Sequence, residues 1–170
     1  MIHLKCNIET EKLLLQRPSA EDGLILRGLW KDEKVRRFLG GIISNERIEM
    51  KMASIQDQWN KHHFGQWSVS DKKSGQVVGI CGLHHSDDGI ELSYMFFPEA
   101  WGRGLATEAA QASIDHGFNV IELPKIIAIT QEANTYSRGL LEKIGMTLID
   151  NFSRYEVNQC LYEIQKKIST

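Results

Sequence analysis

Trp101-Gly102-Arg103-Gly104-Leu105-Ala106-Thr107-Glu108 follows a strand-like run and leads into an alanine-rich helical pattern. A strand that breaks into glycines and then opens a helix leaves several backbone N–H groups without a partner. The first N–H groups of a helix have no intrahelical acceptor, and the helix dipole adds partial positive charge there. Together they make a phosphate site. A plainer reading, a tight strand-to-helix turn, stands beside it, because a lone glycine-rich loop is a weak signal.

Working outward, Leu13-Leu14-Leu15 is a short apolar run closed by Arg17-Pro18 and reads as a first strand. Ser19 to Leu29 reads as a helix, with Ser19 as N-cap and Glu21-Asp22 in its first turn. A second helix is expected over Asn45 to Lys61, where Ile48, Met52, Ile55 and Trp59 recur at spacings of three or four. Gln66 to Ser70 and Gln76 to Leu83 read as strands joined at Lys73-Ser74-Gly75. Asp88-Gly89 signals a hairpin into Ile90 to Phe97, giving three antiparallel strands in succession.

Gly104 to Phe118 reads as a helix whose core face carries Ala106, Ala109, Ala110, Ile114 and Phe118. Residues this small imply close packing on a sheet. Lys125 to Thr130 is a buried strand, and Asn134 to Lys143 a helix with Gly145 as its C-cap. Met146 to Asp150 starts another strand, and the tail from Gln159 to Ile168, alternating through Cys160, Tyr162 and Ile164, supplies the last. The expected fold class is α/β (α+β), a mixed sheet with flanking helices in a single domain spanning residues 1–170.

The 170-residue chain carries a net charge of −2, with 25% charged and 42% hydrophobic residues. That balance is ordinary for a soluble globular protein and points to no nucleic-acid partner. Cys6, Cys81 and Cys160 stand far apart, at no metal-ligand spacing, so neither a metal nor a disulfide framework is expected. The reading is a reduced, cytoplasmic chain. Its longest aliphatic runs, such as Ile126-Ile127-Ala128-Ile129, are too short for a membrane span. Lys5, Glu9 and Glu11 leave the N-terminus without a signal-peptide core.

The order of motifs is then recognisable: Glu11 to Pro18 (EKLLLQRP), Gly79 to Leu83 (GICGL), Glu91 to Phe97 (ELSYMFF), Pro98 to Ala109 (PEAWGRGLATEA) and Asn134 to Met146 (NTYSRGLLEKIGM). From Glu11 to Lys166 the chain resembles the GNAT superfamily of N-acetyltransferases. Within it, the chain most resembles the branch containing the ribosomal-protein N-terminal acetyltransferases. The resemblance implies acetyl-coenzyme A as donor, a primary amine on a small molecule or protein N-terminus as acceptor, and a monomer or homodimer. It also implies that Trp101 to Thr107 is the pyrophosphate loop. The superfamily pattern Arg/Gln-x-x-Gly-x-Gly/Ala is met by Trp101-Gly102-Arg103-Gly104-Leu105-Ala106, with Trp101 in the first place. Phosphate binding then rests on backbone amides. Gly102 and Gly104 allow close approach, and Arg103 adds a cation at the mouth. The same resemblance puts Tyr94 to Phe97 on a strand that bulges and splays from its neighbour. The pantetheine arm would enter there against the main chain of Met95 and Phe96, with the Phe96 amide as oxyanion donor.

Acyl transfer needs a neutral amine, a stabilised oxyanion and a departing thiolate. Glu91 is the candidate base, acting through a water, and a solvated strand carboxylate is its plainer reading. Many superfamily members carry a tyrosine seven residues after the helix-starting Asn to protonate the sulfur; here that position is Leu141. The branch resembled here uses a serine three residues after it, which is Ser137, while Tyr136 points elsewhere on the helix. Asn134 caps the helix and, by resemblance, touches the arm.

Two other readings compete. A catalytically silent sensor would keep the coenzyme site alone, but Glu91 and Ser137 are both present. A dinucleotide oxidoreductase needs Gly-x-Gly-x-x-Gly, and the last position here is Thr107. His84-His85 beside Asp87-Asp88 invites a metal, yet adjacent strand residues face opposite ways, so a polar hairpin tip is the better reading. His62-His63 reads as solvated, and Trp59, Phe64 and Trp67 as core aromatics. The acceptor pocket falls to the region from Lys31 to Trp67 and the last hairpin.

Overall fold

The Leu13-Leu14-Leu15 run forms β2 (Leu13–Gln16), with Leu13 and Leu15 wholly buried and Leu14 on the other face. Burying one such side chain is worth roughly 1.5–3 kcal/mol. A computed structural model describes residues 6–168. In it β2 lies between a two-residue strand, β1 (Ile8–Glu9), and β3 (Gln66–Asp71). The sheet continues through β4 (Val77–Ser86), β5 (Gly89–Phe96), β6 (Lys125–Gln131), β8 (Val157–Gln165) and β7 (Thr147–Arg154), in the order β1-β2-β3-β4-β5-β6-β8-β7. Every described pairing is antiparallel except β5 with β6, which is parallel. The mixed α/β architecture expected above is therefore present.

The helices follow the sequence signals closely. Ser19 caps α1 (Ala20–Leu26) through a reciprocal capping box with Asp22. The chain then tightens into a 3-10 turn, Arg27–Lys31, in place of the expected continuation of the helix to Leu29. A short α2 (Glu33–Arg36), capped by Asp32, precedes α3 (Asn45–His62), whose Ile48, Met52, Ile55 and Trp59 are all buried. α4 (Leu105–Asn119) lies on β4, and α5 (Thr135–Lys143) ends at Gly145 with φ of 95°.

Close packing of α4 is the feature that sets the site. A Cβ on Gly117 would stand 2.8 Å from Leu83 Cδ1, and Ser113 Oγ donates to Ala109 O at 2.8 Å while meeting Cys81 Sγ at 3.4 Å. Leu105, Ala109, Ala110 and Ile114 complete the buried stripe; Ala106 and Phe118 are only partly buried, toward its edge. The start of α4 is also tethered. Glu108 accepts from Thr10 Oγ1 at 2.6 Å and from the Lys12 amide at 3.0 Å, joining the first turn to the edge of the sheet.

Candidate active site

β5 is held firmly on one side only. Its ladder with β4 runs without a shift from Gly79↔Phe96 to Ser86↔Gly89, whereas β6 meets it at one position, Glu91↔Ile127. The expected bulge at Tyr94 to Phe97 is therefore absent: the strand stays regular, and it is β6 that leaves. β6 is itself held by β8 along its length, from Lys125↔Gln165 to Gln131↔Gln159, so the two halves of the sheet diverge as units.

The hydrogen-bond alternation of an antiparallel ladder fixes which groups face the split. The Phe97 amide donates to Val78 O at 2.9 Å, so Met95, two residues away, also points its main chain at β4. The main-chain groups of Tyr94 and Phe96 point the other way, toward the split. The expectation that Met95 shares this role with Phe96 thus shifts by one residue, to Tyr94. Phe96 O is met by Trp101 Nε1 at 2.9 Å, which ties the loop back onto the strand.

Gly102 and Gly104 have φ of 78° and 74°, a left-handed backbone that other residues enter at a cost. A Cβ at either would find no atom within 4 Å, so the space above the loop is open. Gly104 is the N-cap of α4 and has no side chain to cap it; the first intrahelical bond is Glu108 N to Gly104 O. The amides of Leu105, Ala106 and Thr107 precede it. Arg103 reaches sideways to the buried Asp71, Nη2 to Oδ2 at 2.8 Å, rather than over the mouth of the cleft. Arg103, and next the Lys73 amide, hold the Asp71 carboxyl below its ordinary range. A depressed acid contributes stability above its unfolded value, about 3.9, and loses it as pH falls through the lower folded value. Asp71→Asn should lower the melting temperature at neutral pH, with the deficit shrinking in acid, as melts across pH would record.

The loop, the split, α2 with the residues just after it, and the start of α5 enclose a cleft of about 730 Å³. Glu91, Met95, Phe96, Trp101, Gly102, Gly104, Leu105, Ala106, Asn134 and Ser137 all line it; Arg103 and Thr107 do not. Burial pushes the Glu91 carboxyl above its ordinary range, against the opposing pull of its cross-strand partner His84. Asn134 Oδ1 accepts from the Ser137 amide at 3.1 Å, the capping role its position implies. Ser137 is buried, and its hydroxyl lies 2.7 Å from Tyr94 OH. The sequence alone gives the Tyr94 side chain no role; its hydroxyl acquires one from the contact with Ser137. Burial holds its phenol strongly protonated.

A second cavity, about 280 Å³, opens under β5 beside α3, within the region assigned to the acceptor. His84 and His85 line it, while Trp59, Phe64 and Trp67 are core residues. The last hairpin does not contribute to its lining. His62 stacks on His85 with ring centroids 3.8 Å apart, so it is not simply solvated. Among the described residues no group of three or more His, Cys, Asp or Glu is placed to hold a metal, and no helix is long and apolar enough to cross a membrane.

The acetyltransferase (GNAT) domain family matches residues 12–147. The uncharacterized N-acetyltransferase YnaD of Bacillus subtilis strain 168 is 41% identical over 142 residues, 82% of each chain. The spermidine N(1)-acetyltransferase of Escherichia coli K12 is 26% identical over 125 residues, 65% of this chain and 67% of its own. A ribosomal L7/L12 α-N-protein acetyltransferase, solved in complex with coenzyme A, shares the fold with a TM-score of 0.81 at 12% identity, over 94% of this chain and 98% of that one.

Proposed function

The chain belongs to the GNAT family of acetyltransferases, and from that premise we propose that it moves the acetyl group of acetyl-coenzyme A to a primary amine by direct attack. One observation carries the reading: an uncapped, glycine-opened helix N-terminus and a parted sheet line the same cleft. The residues present fit the donor. Open space stands over Gly102 and Gly104, the α4 amides face it, and Glu91 is the one carboxylate lining the cleft among the described residues. The donor, when bound, supplies an activated thioester.

The chain's own groups divide the rest of the work. The amides of Leu105 and Ala106, which line the cleft, hold the diphosphate, and Tyr94 offers its main-chain groups to the arm as an added strand would. Glu91 takes the ammonium proton, directly or through a water. The Phe96 amide donates to the carbonyl oxygen as negative charge gathers there. Ser137, backed by Tyr94, presents a hydroxyl proton to the leaving sulfur, which at a thiol pKa of about 8.5 needs little assistance.

Acetyl-coenzyme A at about a hundred times its Kd should stabilise the fold by about 2.7 kcal/mol. For a chain this long that is a rise of roughly 5–10 °C in melting temperature. NAD should give none, and a shift with NAD alone would reverse the assignment. Thiol release from acetyl-coenzyme A on adding amines then tests transfer itself.

A further inference from the structure

The second cavity meets the large cleft along β5, where Ser93, Tyr94 and Met95 line both. A molecule held there lies against the strand on which transfer is proposed. Its charged lining has one sign. Arg36 and Lys51 line the cavity together with the imidazoles of His84 and His85, and among the described residues no carboxylate does.

Arg36 is fixed in place without being neutralised. Its Nε donates to Gly41 O at 2.8 Å, Nη2 to Leu39 O at 2.6 Å, and Nη1 lies 3.9 Å from Met95 Sδ. These partners are carbonyls and a thioether, which orient a guanidinium but leave its charge uncompensated. Burial, and after it the charge of Arg47, lowers the Arg36 pKa, as befits a half-buried cation whose neighbours are also positive. Lys51, exposed on α3, adds a second cation at the same cavity. Glu91, the one carboxylate of the large cleft among the described residues, does not line this cavity.

Resting on the transfer reading above, we propose that the acceptor is a small amine carrying its own carboxylate, which Arg36 and Lys51 receive while the amino group meets the Ser93–Met95 wall. A fixed guanidinium matches a carboxylate in charge and shape. Polyamines such as spermidine would instead bring further positive charge against Arg36 and Lys51. The acceptor chemistry therefore differs from that of the spermidine acetyltransferase of Escherichia coli.

The test is thiol release from acetyl-coenzyme A with the common L-amino acids, each paired with its own carboxamide, and with spermidine. The carboxamide's amine deprotonates more easily, so reactivity alone favours it. The acid of the best pair should nonetheless lead by about tenfold or more in kcat/KM, the scale of one charge-assisted hydrogen bond. The difference should lie in KM and shrink in Lys51→Gln, while Arg36→Lys retains part of it. Acetyl-coenzyme A should still raise the melting temperature of both variants, which establishes that they are folded. Carboxamides matching their acids, or spermidine as the best acceptor, would overturn this inference and leave acetyl transfer standing. Thiol release with none of these amines, coenzyme still bound, would also overturn this inference, and N-terminal peptides run alongside would then decide whether acetyl transfer itself stands.

Discussion

Gly104→Glu should weaken acetyl-coenzyme A binding about a thousandfold while leaving the fold intact. The new carboxylate would stand at the N-cap of α4, among the amides proposed to hold the diphosphate. Two like charges about 4 Å apart at an effective dielectric near 20 repel by about 4 kcal/mol, and each 1.4 kcal/mol is a factor of ten. Folding should survive, because a Cβ there meets no atom within 4 Å. The left-handed φ of 74° adds a strain of about 1–2 kcal/mol for a non-glycine residue. Gly104→Asn separates these effects. Asparagine tolerates that backbone and carries no charge, so it should keep affinity within about tenfold of the parent. Calorimetric titration of both variants reads the difference directly. Unchanged affinity in Gly104→Glu would place the diphosphate elsewhere.

This loop was legible in the sequence because its proposed role rests on backbone geometry, and glycine spacing encodes backbone geometry. The core was legible for a related reason: the spacing of Ile48, Met52, Ile55 and Trp59 left one helical face to bury, and all four are buried in α3. The ordered motifs also pointed to the family the chain belongs to. Elements too short to show a period escaped notice, namely β1 over Ile8–Glu9 and α2 over Glu33–Arg36. The hairpin turn lies at Asp87-Asp88, one residue before the Asp88-Gly89 signal, with Gly89 already paired to Ser86.

Long-range partners account for the rest. Arg103 reads as a free cation until β3 brings Asp71 within 2.8 Å of it. Tyr94 gains meaning only from Ser137, forty-three residues on in the sequence and 2.7 Å away in space. The second cavity is assembled from the 3-10 turn, α2, α3, β3, β4 and β5, and no local pattern announces that Arg36, Lys51 and His84 share it. Nor does the near-continuous apolar run of β6 reveal that the strand leaves β5 after a single bridge.

Glu91→Gln should cost about a hundredfold or more in kcat/KM, the usual contribution of a positioned base. Stability should move the other way. Because burial raises the Glu91 pKa, the folded chain holds this proton more tightly than the unfolded one. Stability from this group therefore falls as pH rises from the unfolded value, about 4.3, through the higher folded one, and the cost persists above it. Glutamine removes that cost, so the variant should melt at or above the parent's temperature at pH 8 and lose the advantage in acid. The parent's log kcat/KM should fall on the acidic side below the raised pKa. In the variant that limb should vanish, leaving only the deprotonation of the amine itself. The pairing of opposite signs is what identifies a base: a merely structural carboxylate would lose stability and activity together. Full activity in Glu91→Gln would mean that the amine arrives already neutral and that Glu91 takes no part in the chemistry.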